Sequence, residues 1–112
     1  MTAKIARKIE LMPRGALDEA AECLKVMAHP LRLRIADILM QGEFPVGQIA
    51  AMCGLPPHQA SEHLRLMKAM GLLDLRREGR VIFYSIANPR LPQLIGCIKK
   101  TCEIGIKREN IQ

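Results

Sequence analysis

Between Val46 and Met70 two helical stripes are separated only by Cys53-Gly54-Leu55-Pro56, a break so short that the two helices must pack against each other across one tight turn. The first stripe, Val46 to Met52, sets Val46, Ile49 and Ala50 on one side, with Gly54 as the turn residue behind it. Pro57 suits a first helical position. From about Pro57 to Met70 the second stripe gathers Ala60, Leu64 and Met67, leaving His58, Ser61, Glu62, Arg65 and Lys68 on the opposite, polar side.

The flanking sequence supplies further elements. Ala16 to Ala28 carries Leu17, Ala20, Ala21, Leu24 and Met27 at intervals of three and four, with Asp18, Glu19 and Glu22 expected near the start, where the helix dipole favours acids. Pro30 ends that helix, and Leu31, Ile35, Ile38 and Leu39 mark a second one reaching Gly42; Gly42-Glu43-Phe44-Pro45 reads as a turn. Leu72 to Arg77 and Arg80 to Ile86, parted by Glu78-Gly79, read as a β-hairpin. Asn88-Pro89 then offers an N-cap and first-turn proline for a last helix, to about Ile104. Met1 to Gly15 is a basic arm with Lys4, Arg7, Lys8 and Arg14, and residues 16–112 form one domain.

A short helix, a glycine turn and a longer helix with one apolar stripe have the form of a helix-turn-helix, and the basic hairpin behind it fits a wing. The expected fold is mainly α, four helices, a hairpin wing and a closing helix, working as a dimer. On double-stranded DNA, His58, Gln59, Ser61 and Glu62 would read or position against base edges, while Arg65, Lys68, Arg76, Arg77 and Arg80 would hold phosphates. Taken alone, such a face is equally a solvated helix surface, or a surface for a protein partner.

Charge narrows the choice. Seventeen Lys and Arg against eleven Asp and Glu leave +6, which favours an anionic partner. No apolar run approaches the roughly 18 residues of a bilayer span, so no membrane partner is expected. No apolar block with a small-residue cleavage site follows the basic start, and the expected location is the cytoplasm. There is no glycine-rich phosphate loop, no paired carboxylates in an apolar setting and no nucleophile with a plausible base, so an enzyme is not expected.

Residues Met27 to Tyr84 also resemble the ArsR/SmtB family of winged-helix repressors. The resemblance runs through "MAHPLRLRIADIL", "GEFPVGQIAAMCGL" and "HQASEHLRLMKAMGLLDLRREGRVIFYSI". Its most specific parts are the His29-Pro30-Leu31-Arg32 corner, the Ser61-Glu62-His63-Leu64 segment followed by Met67, Gly71 and Leu72, and the Gly79-Arg80 tip leading to Phe83-Tyr84. It implies a homodimer joined by its first and last helices that represses an operon and leaves its operator when an effector binds. The last helix offers Leu91, Leu94, Ile95, Ile98 and Cys102 to a partner or to the protomer's own core.

The family's third-helix metal box, of the form "ELCVCD", is matched here by "EFPVGQ", and Pro45 has no ligating atom. The last-helix zinc set of Asp, His, His and Glu is missing, and Asp37 stands where the family's redox sensors place a second-helix cysteine. What remains is Cys23 on the first helix with Cys97 and Cys102 on the last, no two of the four cysteines forming a CxxC pair. Cys97 and Cys102 differ by roughly 140° around an ideal helix, so a shared ion needs a third element, which Cys23 of either subunit would supply. Arsenite or antimonite, another soft metal, or a disulfide or polysulfide would suit such thiols as inducer. The contrary reading is that all three are packing. Cys53, where a core Leu or Ile usually plugs such a turn, reads as packing, and His29 and His63 as structural.

Overall fold

The computed structural model describes residues 8–89 and 91–111, with side chains as far as residue 101. The elements are α1 (Arg14–Met27), α2 (Pro30–Leu39), β1 (Phe44–Pro45), α3 (Val46–Cys53), α4 (Pro57–Ala69), β2 (Leu73–Glu78), β3 (Val81–Ile86) and α5 (Leu91–Ile111). This is the expected winged helix-turn-helix order with one strand added.

Most differences from the sequence reading sit at element ends. α1 begins at Arg14, before Gly15, because Pro13 takes the extended N-cap conformation and its carbonyl accepts from the Leu17 amide at 3.2 Å. Its first turn therefore holds no acid, and Asp18 instead pairs with Arg14 at 3.3 Å. α2 is capped by a side chain: the His29 ring nitrogen Nδ1 accepts from the Leu31 amide at 3.1 Å, with Pro30 in the first turn. α2 stops at Leu39 rather than Gly42. α5 starts at Leu91, whose amide donates to the Asn88 carbonyl at 3.1 Å, and its backbone stays helical to Ile111, well past Ile104.

Phe44 and Pro45, expected in a turn, form a strand that pairs antiparallel with β3, Phe44 opposite Tyr84 and Pro45 opposite Phe83. The sheet order β1-β3-β2 leaves β1 at an edge, the position in a sheet where proline is tolerated. Long-range pairing of this kind has no local sequence signature.

The core lies between the helices and one sheet face. Ile35, Ile49, Leu64 and Met67 are fully buried, joined by Met27, Leu39, Leu72, Leu73 and Tyr84. Each such aliphatic side chain contributes about 2 kcal/mol of burial free energy. α5 packs along α2 and turns Leu91 and Ile95 into this core. Those two are thus used within the protomer rather than offered to a partner, while Leu94 and Ile98 remain half-buried and the Cys102 side chain lies outside the described residues. α1 differs: only Met27 of its stripe is buried, and Leu17 and Leu24 are 47% and 55% exposed.

Candidate nucleic-acid interface

The α3–α4 turn is built on Gly54, which takes the left-handed conformation (φ 68°, ψ 34°) that an L side chain resists. Its amide and that of Leu55 close the end of α3 on the Ala51 and Ala50 carbonyls at 3.2 and 3.0 Å. α4 then buries Ala60, Leu64 and Met67, the stripe expected from the sequence. Burying that stripe forces His58, Gln59, Glu62, Arg65 and Lys68 outward, where all five are exposed, and Ser61 is half-buried.

Between α4 and the hairpin runs an open groove of about 400 Å³. Val46, Leu75, Ile82 and Tyr84 form its apolar floor, and Ser61, Arg65, Lys68 and Arg77 line it with polar and cationic groups. The pleat explains why Arg77 belongs here. Leu75 pairs with Tyr84 and Arg77 with Ile82, so these four share the face toward α4.

Arg76, one residue earlier, faces the other way and is engaged there. Its Nε and Nη2 donate to the two carboxylate oxygens of Glu43 at 3.0 and 2.8 Å, and its Nη1 donates to Glu78 Oε2 at 2.8 Å. Its guanidinium carbon stands 4.5 Å from the Phe83 ring centroid. The Arg76 hydrogen bonds hold the Glu43 carboxyl below the ordinary carboxylate range, and they raise the already high pKa of Arg76. The phosphate contact expected of Arg76 thus competes with a clamp fastening the wing to the segment before β1. The Glu78 partner, two residues away, is visible in the sequence; Glu43, thirty-three residues away, is not.

At the wing tip Gly79 takes φ 64° in the two-residue turn joining β2 to β3, and Arg80 beside it is exposed. Arg65, Lys68, Arg77 and Arg80 therefore lie along α4 and the adjoining hairpin.

Behind α4 the His29-Pro30-Leu31-Arg32 corner ties α1 to α4. Arg32 Nη1 donates to the Val26 carbonyl of α1 at 2.9 Å, and Arg32 Nε donates to His63 Nδ1 of α4 at 3.2 Å. The His29 and His63 rings stand 4.8 Å apart between centroids, tilted by 57°. Burial, with the nearby His29 and Arg32, lowers the His63 pKa against a small opposing pull from Glu62.

Cys23 is half-buried against the core, and Cys97 is exposed on α5. Cys53 packs at the helix-turn-helix as expected, and burial pushes its thiol up. No group of three His, Cys, Asp or Glu side chains able to hold a metal forms among the described residues. Because α5 stays helical through both positions, Cys97 and Cys102 keep their divergence of roughly 140°. Asp37 lies 2.9 Å from Lys99 Nζ of α5, at ion-pair distance though not aligned as a hydrogen bond. No helix among the described residues is long and apolar enough to cross a membrane.

This arrangement has close counterparts. A family profile described as a helix-turn-helix domain matches residues 27–76. The transcriptional repressor PagR of Bacillus anthracis is 40% identical over 96 residues, which cover 85% of this chain and 93% of PagR. A solution structure from Mycobacterium bovis, described as a homodimeric winged helix-turn-helix DNA-binding domain and possible ArsR-family regulator, superposes with TM-score 0.75 at 32% identity, over 90% of this chain and 95% of that one. The crystal structure of the antimony-specific transcriptional repressor AntR shares the fold with TM-score 0.82 at 24% identity, over 96% of this chain and 98% of AntR. The chain belongs to the ArsR/SmtB family of winged helix-turn-helix transcriptional repressors.

Proposed function

We propose that the protein represses transcription as a homodimer on operator DNA, with α4 in the major groove and the wing beside it. The observation that carries this reading is the cationic groove: Arg65 and Lys68 of α4 and Arg77 of β2 converge on one channel beside the outward face of α4. His58, Gln59, Ser61 and Glu62, in the first two turns of α4, contact or position base edges. Arg65, Lys68, Arg77 and Arg80 take backbone phosphates, and Arg76 keeps the wing in place. One such module spans few base pairs, so two copies presenting recognition helices a DNA turn apart supply the affinity. The exposed Leu17 and Leu24 of α1, with Leu94 and Ile98 of α5, supply the joint between copies.

Derepression in this reading is thiol-based. Cys23 of α1 with Cys97 and Cys102 of α5 takes a soft, thiophilic inducer such as arsenite or antimonite. Arsenous acid would exchange its three hydroxyls for three thiolates, each thiol proton leaving with a hydroxyl as water. With Cys97 and Cys102 of one α5 divergent, the two face one ion only when they come from different subunits, and Cys23, brought near α5 by the dimer, completes the three.

The test is a fluorescence-anisotropy titration on the gene's own upstream DNA, repeated with arsenite, antimonite, zinc, cadmium and a polysulfide donor, on the parent and on Cys23→Ser, Cys97→Ser and Cys102→Ser. Binding that weakens steeply with salt supports the DNA reading, whereas salt-insensitive capture of a protein would replace it. Release by As(III) or Sb(III) that the serine variants lose supports the inducer. Release only by the polysulfide donor points to reactive-sulfur sensing, and DNA held under every agent removes the thiol role.

A further inference from the structure

We propose that Arg32 and His63 form a proton-sensitive joint between the end of α1 and the recognition helix, so that protonation of His63 releases α4 and weakens operator binding. This rests on the reading of α4 as the DNA-facing helix.

Arg32 lies in the first turn of α2 and bridges two other helices. One arm of its guanidinium holds the Val26 carbonyl in the last turn of α1, and Nε reaches His63 on α4. Arginine has only donors, so the Nδ1 that faces it must be the bare nitrogen of a neutral imidazole. A proton on His63 Nδ1 removes the acceptor and sets an imidazolium against a guanidinium. Three other charged or titratable groups bear on His63. Arg32 from α2 and the His29 ring from the α1–α2 corner both oppose a second positive charge there. Glu62, its neighbour on α4, favours one, but it points outward and is exposed. His63 lies between Glu62, on the outward face, and Leu64, which is fully buried, so a shift of its backbone re-aims the face meant for DNA.

The sign follows from linkage. His63 binds a proton less readily in the folded protein than in the unfolded chain, so its contribution to stability is present above the ordinary histidine pKa and is lost as pH falls through its lower folded value. A histidine simply lying against phosphates behaves oppositely, binding tighter on protonation.

Operator affinity and thermal stability should be followed from about pH 8 to about pH 5.5 at fixed ionic strength, for the parent, His63→Asn and Arg32→Lys. Asn carries an amide oxygen close to the Nδ1 position that accepts from Arg32 at every pH. Relative to His63→Asn, the parent should lose about three- to tenfold more affinity and more melting temperature over that range. Arg32→Lys, with its charge kept but its two-armed bridge gone, should bind more weakly at high pH and show a shallower pH profile. His58 and His29 are present in all three, so their own effects cancel in the difference between the parent and each variant. Parallel melting profiles for the parent and His63→Asn would overturn the joint without touching the DNA reading. Divergent melting with no DNA binding at any pH would leave the joint standing, and would overturn the DNA reading and the operator effect with it.

Discussion

Arg76 and Arg77 are adjacent in β2 and face opposite sides of the wing, Arg77 toward the α4 groove and Arg76 onto Glu43, Glu78 and Phe83. Neighbouring basic residues read as one patch in a sequence, but the pleat separates them. The two should therefore fail differently. Arg77→Ala should weaken DNA binding and reduce the salt slope by about one phosphate's worth, close to 0.9 in log–log terms, with little change in melting. Arg76→Ala should lower the melting temperature and loosen the wing while leaving the salt slope nearly unchanged, and Glu43→Gln should follow Arg76→Ala. Equal salt slopes for the two arginine variants would show that the pleat makes no such division.

The Glu43–Arg76 pair also sets a pH signature. The carboxyl of Glu43 ionises more readily in the fold than in the unfolded chain, so the clamp stabilises above the ordinary carboxylate pKa and fades as pH falls through the lower folded value. The melting difference between the parent and Glu43→Gln should be constant near neutrality and shrink below about pH 4.5. Because both side chains are exposed, added salt should shrink it too. A difference that persists unchanged in acid would mean that the variant acts through packing rather than charge.

Reading and holding should separate on α4 and the wing. His58→Ala and Gln59→Ala should change preference between operator variants, a good base contact being worth about 1–3 kcal/mol of discrimination. Arg80→Ala, at the exposed tip, should weaken operator and random DNA by the same factor. The check is a competition assay with base-substituted operators, and uniform loss from the two helix variants would remove their role in reading.

The parts of this molecule legible in its sequence are those fixed by local periodicity. The Ala60–Leu64–Met67 stripe, the Gly54 turn and the two wing strands all follow from spacing and from where glycine and proline fall. What stayed hidden depends on residues far apart in the chain. β1 exists because Phe44 and Pro45 meet Tyr84 and Phe83, and Arg76 is engaged because Glu43 lies within reach. His63 reads in the sequence only as structural, since nothing near it announces Arg32, thirty-one positions earlier. The apolar stripe of α5 fits a partner or the protomer's own core equally well in the sequence, and the structure puts Leu91 and Ile95 in that core with Leu94 packed against it.

In the proposed dimer, that division on α5 shifts the weight of the joint between copies to α1. Leu17 and Leu24 lie two turns apart on one face and are both about half exposed, and Ile9, Leu11 and Met12 just before the helix are exposed as well. A lone protomer gains little from such a stripe, whereas a second copy would remove it from water at about 25 cal/mol per Å² of apolar area. Leu24→Glu should therefore leave the helical circular dichroism of the chain intact, since Leu24 does not belong to the buried core, while sedimentation shifts from a dimer toward a 12.5 kDa monomer. Operator affinity should fall by tenfold or more in order of magnitude, because a monomer reads one half-site instead of two. Ile95→Glu is the contrasting change: that side chain is only 3% exposed and belongs to the protomer core, so it should lower the melting temperature of the fold itself. If Leu24→Glu remains a dimer of full affinity, the copies meet on another face, and a thiol site shared between α1 and α5 of different subunits fails along with it.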